Sequence, residues 1–225
     1  AKGNTVASRD WVVVDHSQTK YGRLMHVSPT NDPLIDFVTL QQNTSFFISS
    51  IGCTHFRLIF DSRTDPLDGT GLRAALNGVK KASIVLETKN NCVFGVFFNT
   101  KKPIDALEAP DEELPIESTQ EFIFSLQSPD QAVPRLFTKR TQRGLPVCRL
   151  FSKSSEYLLK IEACVTLFIN QTIVFWNYFD SVYVEKNVGH QDISVFTGMR
   201  YPEVANVRRV LIFEWENYIT KSQAY

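Results

Sequence analysis

From residue 55 to residue 217 the sequence returns repeatedly to short runs in which apolar residues recur at every second position. Such a run places its apolar side chains on one face of an extended strand. In FRLIFD (56–61), Phe56, Leu58 and Phe60 fall on one face, with Arg57, Ile59 and Asp61 on the other. EFIFSLQ (121–127) alternates in the same way. Runs of similar length follow at SIVLETK (83–89), CVFGVFFNT (92–100), RLFTKR (135–140), PVCRLF (146–151), EACVTLFIN (162–170) and TIVFWNYF (172–179). In the last, VRRVLIFEWEN (207–217), Leu211, Phe213 and Trp215 share a face with Arg209, while Val210, Ile212 and Glu214 lie opposite. Many short strands with little helix between them predict a mostly β chain with flanking helices. The expected architecture is α+β, a two-layer antiparallel β-sandwich.

One helix stands out. In GTGLRAALNGV (69–79), Leu72, Ala75, Leu76 and Val79 follow the i, i+3, i+4, i+7 spacing of a single helical stripe. Thr70 is the expected cap and Gly78 the expected stop. Asn90-Asn91 separates two strands and tolerates positive φ, so it predicts a hairpin turn. Gly95, inside the second of those strands, predicts a bulge or the close approach of another backbone. KKPIDALEAPDEELPIEST (101–119) has prolines, acids and no sustained period, and reads as an exposed loop. Residues 1–54 read as an N-terminal extension. There WVVVDH (11–16) and YGRLMHV (21–27) are two candidate strands, and NDPLIDFVTLQQ (31–42) is a helix candidate capped by Asp32, with Pro33 at its first position. Residues 218–225 are a polar tail.

Composition narrows the function classes. Lys+Arg and Asp+Glu are both 24, so no net charge steers the chain to nucleic acid or an acidic membrane. The 17 Phe among 225 residues can fill a sizeable core. No apolar run approaches the roughly 18 residues of a membrane span. The polar start AKGNTVASRD carries no signal-peptide pattern. The cysteines at 53, 92, 148 and 164 form no C-x-x-C pair, and read as buried free thiols in a reducing compartment.

FRLIFDSRTDPLDG (56–69) brings Asp61, Asp65 and Asp68 close together, but the spacing fails a calcium loop: with Asp61 as position 1, position 3 is Arg63 and position 12 is Leu72. The aspartates read instead as the end of a strand and two turn dipeptides. His16, His26, His55 and His190 form no H-x-x-x-H pair, and no nucleophile elbow or phosphate loop is present. Glu214 and Glu216 point the same way on one strand, the geometry a glycosidase uses, and also that of a wet sheet face. Cys148, beside Arg149, is the one cysteine with a basic sequence neighbour. The dibasic pairs Lys80-Lys81, Lys101-Lys102, Lys139-Arg140 and Arg208-Arg209 are dispersed.

Order carries more than any site. Strand FRLIFDS, an acidic turn, a helix ending ALNGV and strand SIVLETKN lead to a strand bearing Phe94-Gly95-Val96-Phe97. Then come Phe122-Ile123-Phe124-Ser125-Leu126 and, in the final strand, Phe213-Glu214-Trp215-Glu216. Over residues 55–217 this succession resembles a TLDc domain, especially the divergent protozoan members. The resemblance implies a β-sandwich flanked by helices, with no agreed catalytic residues. No catalytic, cofactor-binding or metal-ligating residue is therefore assigned, and no cofactor. It also implies a cytoplasmic, non-enzymatic protein-interaction domain linked to oxidative stress resistance or to regulation of the vacuolar proton pump. The implied partner is a peripheral pump subunit. The alternative expectation is a β-sandwich binding a ligand or carbohydrate, or a hydrolase using Glu214 and Glu216.

Overall fold

The computed structural model describes residues 12–15, 23–26, 43–53, 55–107, 112–129, 131, 133–140, 144–185, 193–198 and 204–216, the first two segments as backbone only. By their contacts the residues divide into two units, 1–58 with 213–225, and 59–212.

In the first unit, β1 (Val12–Asp15) and β2 (Arg23–His26) pair antiparallel, with Val12 opposite His26. They are the two strands expected in that part of the sequence. β1 also pairs with the start of β3 (His55–Asp61), Val12 opposite Phe56. Helix α1 (Thr44–Ile51) has no counterpart in the sequence reading. It ends at Gly52, whose φ of 71° lets its N–H donate back to the Ile48 carbonyl. Aromatic rings make this unit's core: Phe47 and Phe56 lie 5.4 and 5.1 Å from Trp215, and Phe56 meets Phe213 edge-on. The helix expected over 31–42 and the tail 218–225 lie outside the described residues.

The second unit holds α2 (Gly69–Leu76), β4 (Lys81–Thr88), β5 (Val93–Asn99), β6 (Glu113–Ile116), β7 (Gln120–Gln127), β8 (Arg135–Lys139) and β9 (Cys148–Phe151). It continues with β10 (Tyr157–Ile161), β11 (Val165–Phe168), β12 (Thr172–Phe175), α3 (Phe179–Val182), β13 (Tyr183–Glu185), α4 (Ser194–Thr197) and most of β14 (Val204–Glu216). The strands run in the spatial order β13-β8-β7-β5-β4-β14-β12-β11-β10-β9-β6. The two halves of this sheet face each other across its middle strands. Phe94 of β5 lies 5.3 Å from Phe175 of β12, although β4 and β14 separate those strands along the sheet. Contact at that range between strands that do not neighbour each other requires two packed layers, as the alternation predicts. Phe196 of α4 sits beside both rings and closes the core at one side.

Local sequence explains most of these elements. In β3, Phe56, Leu58 and Phe60 are buried, as the alternation requires. The β4–β5 hairpin turns at Asn91, which adopts φ 61°. Gly95 is the predicted close approach: a Cβ there would collide with the Ile84 carbonyl oxygen on β4 and crowd the Phe124 ring on β7. Three details differ from expectation. The cap of α2 is Asp68, not Thr70, and its side chain accepts the Gly71 N–H at 2.7 Å. Part of the expected loop 101–119 is the short edge strand β6, tolerated with Pro115 because an edge leaves N–H groups unpaired anyway. Finally, EACVTLFIN is not one strand. Ala163 adopts φ 58° and turns the chain between β10 and β11, so the strand starts at Val165.

Candidate functional site

The acidic stretch after β3 is a structural joint. Asp61 is buried and accepts a bidentate pair of hydrogen bonds from Arg209 of β14, Nε at 3.0 Å and Nη2 at 2.8 Å. Its carboxylate also accepts the Arg63 N–H at 3.1 Å. Burial pushes the Asp61 carboxyl up, but the Arg209 and Arg63 hydrogen bonds and charges outweigh that and hold it below its ordinary 3.8. Asp65 accepts the Asp61 N–H at 2.7 Å, and Asp68 caps α2. Each aspartate thus has a partner supplied by the fold, as the turn reading expects. Among the described residues no three His, Cys, Asp or Glu side chains converge as a metal site. Of the four histidines, His55 alone has a described side chain, on β3.

The four cysteines are free and buried. Cys148 is fully enclosed, and burial, then the Glu121 charge, push its thiol far up, with Lys139 opposing. Its neighbour Arg149 points to the other sheet face, where it bonds Glu113 at 2.5 Å and Glu162 at 3.4 Å. An enclosed thiol held in its neutral form is unsuited to peroxide chemistry. The Glu214–Glu216 pair is also divided in role. Glu214 accepts from Arg57 Nε at 2.7 Å, while Glu216 is exposed.

Two of the four dibasic pairs, Lys139-Arg140 and Arg208-Arg209, are divided between the two sides of the chain. Lys139 turns inward and its neighbour Arg140 bonds the Asp180 carbonyl at 2.9 Å. Arg209 turns inward to Asp61, and Arg208 outward to Asn91 at 2.7 Å. Alternation along a strand makes this division, and it prevents a continuous basic face from these pairs.

One arrangement was not visible in the sequence. On the inner face of the sandwich a polar row crosses β7, β8 and β13. Glu121 stands opposite Phe98 and pairs with Lys139, and Lys139 stands opposite Tyr183. Lys139 also donates to the Leu145 carbonyl at 3.0 Å. Burial raises the Glu121 carboxyl above its ordinary 4.5, with Lys139 opposing. Tyr183 is 1% exposed, and burial followed by the Glu121 charge pushes its phenol far up. A cavity of about 460 Å³ opens above Glu121 and Lys139, walled by Ser118, Thr119 and Leu145. Period-two reading assigns Glu121 and Lys139 to a strand face but cannot say that this face is the inner one.

A second cavity, of about 330 Å³, lies against β6, β9 and β10. It is lined by Glu112, Glu113, the rings of Phe151 and Tyr157, and serines of the turn that joins β9 to β10. Among the described residues no helix is long and apolar enough to cross a membrane. No family model matches the chain, and no curated protein is similar to it.

Proposed function

We propose that the chain is a non-enzymatic protein-interaction domain of TLDc type, acting in the cytoplasm in oxidative stress resistance or in regulation of the vacuolar proton pump. One observation carries this reading. Four of the strands on which the resemblance rests are neighbours in the sheet, in the order β7, β5, β4 and the second unit's part of β14. The end of β3 joins the same block through Ser62, whose N–H donates to the Val210 carbonyl at 3.0 Å. The Phe-Gly motif sits at the block's tightest point, because Gly95 is where β5 leaves no room for a side chain against Ile84 and Phe124. The Phe94-Gly95-Val96-Phe97 and Phe122–Leu126 motifs thus pack against each other within the second unit, and this agreement of local motif with tertiary packing supports the reading.

The test is capture of partners from the host's soluble proteins on the full chain, read by mass spectrometry. Recovery of peripheral pump subunits is the expected result. The reading is overturned if a folded bait recovers none of them and deletion leaves both vacuolar acidification and peroxide tolerance unchanged.

A further inference from the structure

The cavity against β6, β9 and β10 combines two features that act on the same kind of ligand. The first is aromatic. Phe151 and Tyr157 lie 5.4 Å apart at a 52° tilt, and Phe168 extends the row 5.1 Å beyond Tyr157. All three rings are half-buried, and Phe151 and Tyr157 line the cavity. The second is negative charge. Glu112 and Glu113 line the cavity, and Glu156, next to Tyr157 in the chain, holds that phenol's proton and raises it above its ordinary 10.0. Glu113 shares Arg149 with Glu162. Glu112 makes no ion pair among the described residues; its backbone carbonyl accepts the Ser152 N–H at 3.1 Å, which fixes where its side chain starts. Lys153, in the same turn, does not line the cavity.

Ring faces attract cations and repel carboxylates, while carboxylates favour ammonium and guanidinium groups. A neutral sugar would use the rings but not the charge, and an anion would meet both unfavourably. We propose that this cavity receives a basic side chain, a lysine or arginine on a partner protein. The occupant is a long apolar stem ending in a cation, which matches rings at the wall and carboxylates at the rim. The site deepens the interaction-domain reading and rests on it for the partner's being a protein.

The test uses the full chain and two blocked hexapeptides, one with two lysines and one with the same lysines acetylated, followed by isothermal titration. The lysine peptide should bind saturably and weaken as salt rises. Acetylation should weaken it roughly tenfold, because it removes the charge and keeps the stem. Glu112→Gln and Tyr157→Leu should each weaken binding about threefold or more without moving the unfolding midpoint of the Glu112 variant. Equal affinity for both peptides, or full affinity in Glu112→Gln, overturns the site. Partner capture separates this from the broader reading. A partner recovered equally by wild type and Glu112→Gln sinks the cavity and leaves the interaction domain standing. Lysine-peptide binding with no partner recovered does the reverse.

Discussion

The second unit holds two buried carboxylate–cation pairs, and they behave in opposite ways. Asp61 and Arg209 meet in a bidentate fork, with a further hydrogen bond from the Arg63 N–H. Glu121 meets Lys139, whose ammonium is a point donor shared with the Leu145 carbonyl. Both carboxylates are removed from water, yet Asp61 is held below its ordinary range and Glu121 is pushed above it. The difference is the number of hydrogen bonds aimed at each carboxylate. Burial penalises any charge, and only a carboxylate whose lone pairs are well supplied offsets that penalty.

The largest effect should come from Arg209→Met. It leaves Asp61 buried with its strongest partner gone, and should cost about 3–5 kcal/mol in urea unfolding. Lys139→Met should cost less, about 1–3 kcal/mol, because the Glu121 carboxyl is already raised and takes up a proton more readily than Asp61 does. Adding Glu121→Leu to that variant should return most of the loss, since paired apolar residues replace a buried ion pair at little or no net cost. If the double variant is less stable than Lys139→Met alone, the two pairs are not different in kind.

The pH dependence sharpens the contrast further. The folded value of Asp61 is lowered, so its contribution is complete above the ordinary 3.8 and is lost as pH falls through the folded value. The folded value of Glu121 is raised, so its penalty is absent below the ordinary 4.5 and complete once pH has risen past the folded value. Acidifying from neutral pH should therefore first relieve Glu121 and then, below 3.8, weaken the Asp61 joint. Unfolding curves across that range should lose the first effect in Glu121→Gln and the second in Asp61→Asn. The smallest effect belongs to Arg57→Ala. Its pair with Glu214 has an arginine side chain 40% exposed and should be worth less than about 1 kcal/mol. A loss as large as that of Arg209→Met would mean that fork geometry, rather than burial, sets the scale.

Two hairpins show how far the sequence could be read. The β4–β5 turn was legible because Asn90-Asn91 carries its own preference for positive φ. The β10–β11 turn was not, because Ala163 has no such preference and adopts φ 58° only where pairing on both sides requires it. The cap of α2 lies two residues before the expected Thr70 for a related reason. Thr70 and Asp68 are both good caps, and the choice fell to the residue whose carboxylate reaches the Gly71 N–H. Edge strand β6 was hidden because Pro115 and the surrounding acids read as loop, and only β9 alongside makes them a strand.

By itself, the sequence determined the class of the fold, the apolar faces of β3, β7 and β14, the hairpin at Asn91 and the close approach at Gly95. These follow from periodicity and from the steric needs of single residues, which act over a few positions. Tertiary structure decided which polar strand residues face inward. Glu121 and Lys139 alternate like any surface residues, and only the pairing of β7, β8 and β13 beneath the second layer turned them inward, while Arg209 is buried because Asp61 meets it there. It also assembled Phe151, Tyr157 and Glu112 from two sheet strands and the segment before a third. Facing and convergence depend on contacts between residues far apart in the chain, and no local pattern encodes them.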